Sequence, residues 1–360
     1  MTRPASGGDK PALAGLTPGE FPGMLRELPP YRADQIFRWI NRGIQSFGEM
    51  SDLPLGMREA LEGEYVLYSS QVSGAALDGE GAEKLQITLR DGLKIEAVIL
   101  TDGGGRKTAC LSTQAGCPLG CLFCKTGSLG FQRNLSGAEI AEQFLHIRRR
   151  APGASHIVIM GMGEPLLNLE ELRKALGRLC GPGGLGLSYR RVTLSTAGIA
   201  GGIRDLADGG PDVRLALSLT AAEEELRGAL MPVTGTNPLP LVRESLCHYQ
   251  ERRKRRITLE AVLFSGLNTA DKDARALGEF IRGGPPGPGK KLPPLDCVVN
   301  LIPWNRVEKL AFRGKAFRTP GTGEINRFGA ILEKEGIRVT RRYRRGAGIA
   351  GACGQLGELS

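Results

Sequence analysis

Residues 116–124 read GCPLGCLFC and place three cysteines in the spacing C-x3-C-x2-C, directly after an apolar, β-branched run. Clustered cysteines in a chain of this size indicate a metal or redox site rather than a disulfide framework. A structural zinc site would need a fourth ligand, and none of the three histidines lies near Cys117, Cys121 and Cys124 in the sequence. Thiolates favour iron–sulfur clusters, and three of them leave one iron open to a small molecule. A zinc knuckle remains the alternative.

The sequence on both sides of this stretch alternates between apolar strands and amphipathic helices. Helical patterns such as SGAEIAEQFLHIRRR and LNLEELRKALGRLC separate most of the strands, which is typical of a parallel sheet. Six strands fit the alternation, too few for a complete eight-stranded barrel, so we expect an α/β fold built on a partial (β/α)6 barrel. The six are TACLST (108–113), HIVIM (156–160), RVTLS (191–195), VRLALSL (213–219), ITLEAVL (257–263) and DCVVNLI (296–302), with LQITLR and KIEAVIL before them.

We expect three regions in the chain. Residues 1–85 contain LPPYRADQIFRWINRG and predict a small, mostly helical accessory domain with a basic face. Residues 86–345 form the barrel core, interrupted by a Pro/Gly loop at 282–294. Residues 346–360 are Gly-rich and aperiodic, which predicts a flexible C-terminal tail.

Composition excludes several classes of protein. The 360 residues have no apolar run long enough to span a bilayer, and the N-terminal sequence lacks the apolar segment of a signal peptide, so we expect a cytoplasmic protein. The net charge of +10 permits a polyanionic partner. Three of the eight cysteines lie among apolar residues and are expected in the core: Cys180, Cys247 and Cys297.

The cysteine spacing resembles the signature of the radical S-adenosylmethionine (SAM) superfamily, in which the open iron of a 4Fe–4S cluster binds SAM. Further motifs narrow the resemblance to the 23S ribosomal RNA adenine-C2 methyltransferases and their C8-methylating relatives. The motifs follow in order from about residue 30 to 356: YRADQIFRWI, STQAGCPLGCLFCKTGSLGFQRNL, GMGEPLLN, TLSTAGI, LALSLTA, LIPWN and ACGQL. The resemblance implies a 4Fe–4S cluster with three ligands, Cys117, Cys121 and Cys124.

The resemblance also implies a set of SAM contacts. Gly163 and Glu164 would hold the amino group of SAM, Ser195 and Ser218 would reach its ribose and carboxylate, and Asn305 would lie near its adenine. Leu219 and Thr220 complete the set, although many members of the family have histidine at the position of Thr220. Lys125, after the third cysteine, stands where a small residue is more usual.

Two further cysteines have roles by resemblance. Adenine C2 and C8 are not nucleophilic, so a methyl group cannot reach them by ordinary polar transfer from SAM. The resemblance implies that Cys353 carries the methyl group, that two SAM molecules are used in each turnover, and that Cys110 resolves a protein–RNA adduct through a transient Cys110–Cys353 disulfide. Glu96 aligns with the proton acceptor.

The implied partners are 23S rRNA, tRNA as a second candidate substrate, and an electron donor such as flavodoxin or ferredoxin; the enzyme is expected to be a monomer. Basic clusters at 251–256 and 338–345 are consistent with phosphate contacts. Three alternatives stay open: C8 methylation, a radical SAM enzyme with a non-RNA substrate such as a glycyl-radical activase, and a non-catalytic iron–sulfur or zinc RNA-binding module.

Overall fold

A computed structural model of the chain describes residues 10–283, 292–341 and 346–357. Arg342, Arg344 and Arg345 of the second basic cluster and most of the Pro/Gly loop lie outside these residues. The described strands are β1 (Ser70–Leu77), β2 (Ala82–Leu89), β3 (Lys94–Thr101), β4 (Lys107–Cys110), β5 (Gln114–Gly116), β6 (Phe131–Asn134), β7 (His156–Ile159), β8 (Val192–Thr196), β9 (Arg214–Ser218), β10 (Ile257–Leu263), β11 (Cys297–Pro303), β12 (Ala311–Phe312), β13 (Lys315–Ala316) and β14 (Arg338–Arg341).

The described helices are α1 (Phe21–Met24), α2 (Pro30–Asn41), α3 (Leu55–Glu64), α4 (Lys125–Ser128), α5 (Gly137–Arg150), α6 (Leu169–Cys180), α7 (Ala200–Gly209), α8 (Glu224–Leu230), α9 (Leu239–Arg253), α10 (Asp271–Arg282) and α11 (Thr322–Lys334). None of these helices has the length and apolarity that a membrane span requires. Capping fixes several of their starts: Ser136 Oγ accepts from the Glu139 backbone N–H at 3.2 Å, and the Glu139 carboxylate accepts from Ser136 N–H at 2.9 Å.

Ten strands form one sheet in the order β1-β2-β3-β4-β7-β8-β9-β10-β11-β14. The six strands β4, β7, β8, β9, β10 and β11 pair in parallel, which confirms the α/β class and the six-stranded partial barrel. Two strands of this sheet were not expected: β14 adds a parallel strand beside β11, and β1 begins an antiparallel extension formed with β2 and β3.

The strand register separates an apolar outer face from a more polar inner face. Leucine and isoleucine side chains such as Ile157 and Leu194 lie in one core with the helices that follow the strands. The residues between them point inward, because successive strand residues alternate faces. Ser195 and Ser218 therefore share the inner face, and their hydroxyl oxygens are 3.2 Å apart. This face carries the polar groups of the site.

The N-terminal helices form a second core of their own. It is built around fully buried residues such as Ile36, Ile40 and Met50, and Leu145 of α5 completes it from the barrel side. Arg178 of α6 joins the two cores, since its guanidinium donates to Asn41 Oδ1 at 2.6 Å and lies 4.3 Å from the centre of the Phe37 ring. The domain boundary expected at residue 85 falls within β2, which pairs along its length with β1 and β3.

A buried carboxylate joins the accessory helices to the sheet at residues 68–70. Glu142 Oε1 and Oε2 accept from the Ser69 backbone N–H at 2.9 and 3.0 Å, and Ser70 Oγ donates to Oε2 at 2.5 Å. Ser70 Oγ also lies 3.1 Å from His146 Nε2, whose ring stacks on Tyr68. Burial raises the pKa of Glu142 to about 7 and lowers the pKa of His146 to about 4, because both charged forms lose hydration there.

The tail differs from the expectation of a flexible segment. Residues 346–357 are packed in the structure, with the side chains of Ala352 and Leu356 buried. Gly346 N–H donates to Asp78 Oδ2 at 2.8 Å, and Lys125 N–H donates to the Gly354 carbonyl at 2.8 Å. These contacts are mostly hydrogen bonds of the tail backbone to distant residues, so a Gly-rich, aperiodic sequence does not reveal them.

Candidate active site

One cavity opens at the carboxyl ends of the parallel strands, the end at which barrels of this kind place their chemistry. It receives side chains from the loop after β5, from several strand ends and from the tail. Most of the predicted site residues line it: Cys117, Cys121, Cys124, Gly163, Glu164, Ser195, Ser218, Thr220, Asn305 and Cys353. The structure therefore brings together residues that are up to 236 positions apart in the chain, from Cys117 to Cys353.

The cysteine loop is held by its own backbone. Cys117 N–H donates to the Gly130 carbonyl at 2.9 Å, and Leu122 N–H donates to the Leu230 carbonyl at 3.0 Å. Gly116 has φ +76°, and a Cβ there would lie 1.9 Å from the Gly130 carbonyl oxygen, so only glycine fits. The loop thus presents its three thiols to one cavity.

Burial affects the ionisation of the three thiols. Burial raises the pKa of Cys117 to about 12 and also raises the pKa values of Cys121 and Cys124, so without a cation these groups stay protonated. No three His, Cys, Asp or Glu side chains converge on a single-ion site in the part of the chain that the structure describes. A cluster does not require that convergence, because each thiolate binds a different iron.

Gly163 and Glu164 form one wall of the cavity. Gly163 has φ +100°, and a Cβ there would lie 2.5 Å from Gln114 Cβ. The Glu164 carboxylate accepts from Ala197 N–H at 2.8 Å and from Leu166 N–H at 3.1 Å. Burial raises the pKa of Glu164 to about 7 despite these bonds. A cationic group in the cavity would favour the ionised form of Glu164. The ionised carboxylate is in turn a suitable partner for an ammonium group.

Two polar atoms in the cavity wall lack a partner. Thr220 Oγ1 and Asn305 Oδ1 are buried and accept or donate no hydrogen bond within the described residues. Buried polar groups are normally satisfied, so an unpartnered pair facing one cavity is consistent with a polar ligand there. Thr220 also has φ +62°, a conformation that is costly for a β-branched residue. Leu219 is buried but does not line this cavity.

The tail brings Cys353 to the same cavity. Asn305 Nδ2 donates to the Cys353 carbonyl at 3.0 Å, and Gln355 Nε2 donates to the Arg306 carbonyl at 2.9 Å. Thr126 Oγ1, two residues after the third loop cysteine, donates to the Leu356 carbonyl at 2.7 Å. Asn305 therefore contacts the tail through its amide nitrogen and faces the cavity with its unpartnered oxygen.

Cys110 and Glu96 lie on the inner face of the sheet beside this cavity but do not line it. Cys110 pairs with Val98 across the sheet, and Glu96, two residues before Val98, shares its face. Glu96 is buried, its carboxylate lies 3.0 Å from Lys84 Nζ, and it accepts from Gly357 N–H at 2.6 Å. No disulfide is present in the described residues, and the cysteines are thiols.

Arg227 is a site residue that the sequence does not indicate. Its buried guanidinium donates to the Ala197 carbonyl at 2.5 Å, to the Leu219 carbonyl at 3.2 Å and to Thr234 Oγ1 at 2.7 Å. It thus ties together the loops after β8 and β9, and its charge favours the thiolate of Cys121. Nothing in the sequence of this short helix distinguishes Arg227 from an arginine that is exposed to solvent.

The first basic cluster is partly neutralised. Arg252, Arg255 and Arg256 form ion pairs with Asp208, Asp212 and Asp296. These residues precede β10, at the end of the barrel opposite the cavity. Three of the five cations at 252–256 are therefore paired, and the phosphate contacts expected of residues 251–256 stay a prediction.

The chain is similar to known proteins in sequence and in fold. The sequence matches the family described as the radical SAM superfamily over residues 111–277, and the ribosomal RNA large subunit methyltransferase N-terminal domain over residues 21–67. The fold is similar to the crystal structure of a radical SAM methyltransferase from Sphaerobacter thermophilus, with a TM-score of 0.88, 35% identity, and coverage of 96% of this chain and 99% of that one.

Two curated relatives are similar over nearly their whole lengths. A probable dual-specificity RNA methyltransferase RlmN from Treponema denticola is 47% identical over 98% of this chain and 96% of the relative. The dual-specificity RNA methyltransferase RlmN from Syntrophobacter fumaroxidans is 40% identical over 91% of each.

Proposed function

The chain belongs to the RlmN radical SAM RNA methyltransferases, and from that premise we propose that it methylates C2 of an adenosine in 23S rRNA through a methyl-cysteine intermediate, using two SAM molecules in each turnover. The observation that carries the proposal is the position of Cys353 in the cavity that the three loop cysteines also line. A carrier thiol has to meet both the methyl donor and the target base, and this cavity gives it one place to do so.

The cofactors assign roles to the remaining cavity residues. Cys117, Cys121 and Cys124 would bind a 4Fe–4S cluster, and Gly163, Glu164 and the strand-end residues Ser195, Ser218, Thr220 and Asn305 would hold SAM, with Leu219 supporting its neighbours. When bound, the cluster and SAM supply a methyl group and the one-electron chemistry that converts an S-methyl group into a carbon radical. The unpartnered Thr220 Oγ1 and Asn305 Oδ1 support a polar ligand at this position.

The chain's own residues then act in sequence. The Cys353 thiolate accepts the methyl group, and the carbon later forms a bond to adenine C2, so that protein and RNA are covalently joined. The Glu96 carboxylate takes the proton that C2 loses, and the unpaired electron of the adduct would pass to the bound cluster. The Cys110 thiolate attacks the Cys353 sulfur and breaks the carbon–sulfur bond, whose electron pair stays on the carbon. That carbon takes up a proton to become the methyl group of the released base, and a Cys110–Cys353 disulfide remains. Reduction by a dithiol restores both thiols.

These roles require the tail to move. In the structure the Glu96 carboxylate is occupied by Gly357 N–H and Lys84, and Cys110 does not line the cavity of Cys353. Undocking residues 353–357 would remove the Gly357 N–H from Glu96 Oε2, leave Lys84 as the ion-pair partner of Glu96 Oε1, and allow Cys353 to leave its present position in the cavity. The tail hydrogen bonds to Thr126, Asn305 and Arg306 define the contacts that break.

The wider setting is proposed on family grounds. We infer that the enzyme is a cytoplasmic monomer that receives electrons from a flavodoxin or ferredoxin and that tRNA is a second substrate. C8 methylation and a non-RNA substrate are the competing assignments. Mass spectrometry of nucleosides from 23S rRNA and tRNA of a deletion strain, complemented with the wild-type or Cys353→Ala gene, tests them. We expect 2-methyladenosine only with the wild-type gene; 8-methyladenosine, or an unchanged nucleoside profile, would contradict the proposal.

A further inference from the structure

We propose that the segment after the LIPWN motif binds the phosphate backbone of RNA next to the target adenosine. The segment presents five cationic side chains, which we call the hairpin surface: Arg306, Lys309, Arg313, Lys315 and Arg318. The inference rests on the proposed function, because it takes RNA as the substrate. It adds the place on the protein surface where the RNA chain would lie.

The positive charge of the hairpin surface is exposed to solvent and is available to a partner. All five side chains are exposed, and Glu308 is the one acidic residue between positions 306 and 318. None of the five forms an ion pair with another described residue. In the run at 252–256, by contrast, three of the five cations pair with aspartates. Unpaired cations are the groups that release counterions when they meet phosphates.

A tight turn and a small core hold the backbone of the hairpin surface. β12 and β13 are joined by a two-residue turn in which Arg313 and Gly314 have φ +48° and +76°, as in a type I′ hairpin that places Arg313 at the tip. Beneath it, the Phe317 ring lies 5.4 Å from the Trp304 ring and 4.8 Å from the Phe264 ring, in a small core. The backbone that carries these charges is thus already folded before a ligand binds, which lowers the entropy cost of binding.

The position of the hairpin surface favours a ligand that continues into the active site. Arg306 follows Asn305, which lines the cavity, and the Arg306 carbonyl accepts from Gln355 of the Cys353 tail. Thr319 Oγ1 donates to the Trp304 carbonyl at 2.9 Å, and Ser265 N–H donates to the Arg318 carbonyl at 2.8 Å, so both ends of the segment are fastened at the cavity rim. A polynucleotide on this surface would reach the cavity with one nucleotide.

A folded protein partner fits this surface less well. Interfaces between proteins have an apolar centre with few charged residues. The exposed large hydrophobic side chains in the described part of the chain include none from residues 306–318. The surface is cationic without such a centre, which is the composition expected for phosphate contacts.

The double variant Arg313→Gln, Lys315→Gln tests the proposal. The control is the double variant Arg252→Gln, Arg256→Gln, which removes the same amount of charge at the end of the barrel opposite the cavity. The dissociation constant for an unmodified 23S rRNA transcript is measured against salt concentration. We expect the hairpin variant to bind about tenfold more weakly near ~0.1 M salt and to lower the slope of log K against log salt by roughly 1.5, since each phosphate contact contributes about 0.7–0.9. The control should match the wild type, and both variants should keep the wild-type unfolding temperature.

Equal slopes of log K against log salt for the hairpin variant and the wild type would contradict the proposal that the hairpin surface binds RNA. So would normal RNA binding combined with slower reduction by flavodoxin, which would assign the surface to a protein partner. Failure of the proposed function would give a different result, because the wild type would then bind RNA but methylate no adenosine. The slopes of log K against log salt would still show whether the hairpin surface binds RNA.

Discussion

The backbone N–H of Gly357 donates a 2.6 Å hydrogen bond to Glu96 Oε2, which fastens the tail that carries Cys353 to a buried carboxylate of the antiparallel extension. The same carboxylate lies 3.0 Å from Lys84 Nζ. The residue proposed to accept a proton is therefore occupied by the tail in this conformation. Binding of the target base and release of the tail are expected to occur together.

Thr126→Val should loosen the tail without disturbing the cysteine loop. The change is close to isosteric and removes the donor to the Leu356 carbonyl, a hydrogen bond worth about 1 kcal/mol. We expect faster amide hydrogen exchange in residues 352–357 and lower occupancy of S-methyl-Cys353. Ser128→Ala is the control, because Ser128 Oγ bonds only within α4, to the Lys125 carbonyl. Equal exchange in both variants would show that Thr126 does not hold the tail.

Gly163→Ala should abolish SAM binding. A Cβ at φ +100° would lie 2.5 Å from Gln114 Cβ, so the wall formed with Glu164 must shift. Gly177→Ala is the matched control, since nothing lies within 4 Å of its added Cβ in α6, and alanine stabilises a helix by about 1 kcal/mol relative to glycine. Equilibrium dialysis with labelled SAM checks both. Wild-type affinity in the first variant would remove Gly163 from the binding wall.

Each of Cys117→Ala, Cys121→Ala and Cys124→Ala should prevent assembly of a complete cluster, because each thiolate is assigned to a separate iron. Anaerobic reconstitution with iron and sulfide is followed by metal analysis and visible absorbance. Cys180→Ala, in α6, should reconstitute like the wild type. A colourless wild-type protein that retains zinc would favour the zinc-module alternative.

The stability contributed by Glu142 should depend on pH. Burial raises the pKa of this carboxyl to about 7, so its contribution is complete below its ordinary value of 4.5 and is lost as the pH rises through about 7. We expect Glu142→Gln to gain about 1–3 kcal/mol of unfolding free energy relative to the wild type between about pH 5 and pH 7.

Denaturant titrations at several pH values measure this difference. His146 faces the same serine and titrates in the opposite sense, but it is present in both proteins, so the difference isolates the carboxyl. Glu170→Gln removes an exposed carboxylate and is the charge control. A difference that stays constant with pH would assign Glu142 another role.

Sequence patterns predicted those strands of the barrel whose residue types are typical of buried strands. The six parallel strands are rich in β-branched and leucine residues, and the motifs at their ends mark the cavity. The missed strands lack that signal: β1 reads SQVSGAAL, with small and polar residues, and β14 reads RVTR within an arginine run. Both form because a paired neighbour supplies their hydrogen bonds, a tertiary effect that local patterns do not carry.

Charge patterns were the weaker guide. The sequence at 251–256 predicts phosphate contacts, yet three of its four arginines pair with aspartates 40 to 44 residues away in sequence. The hairpin surface draws its five cations from 13 positions, 306 to 318, without forming a run. Arg227 and Glu142 likewise depend on partners distant in sequence or on backbone groups, which only the fold brings together.

The central claim is that Cys353 carries the carbon and Cys110 releases it. Cys110→Ala should still load a methyl group on Cys353 and still join it to adenine, but it cannot break the carbon–sulfur bond. Cys297→Ala is a close structural control, because Cys110 and Cys297 are both strand cysteines with 7% of their surface exposed. The double variant Cys110→Ala, Cys353→Ala should form no adduct, since no carrier remains.

The most direct measurement is intact-protein mass spectrometry of Cys110→Ala purified from cells and treated with nuclease. We predict a covalent nucleotide remnant on the peptide that contains Cys353, absent from the wild type, from Cys297→Ala and from the double variant. A Cys110→Ala enzyme that turns over freely and carries no RNA would contradict the account.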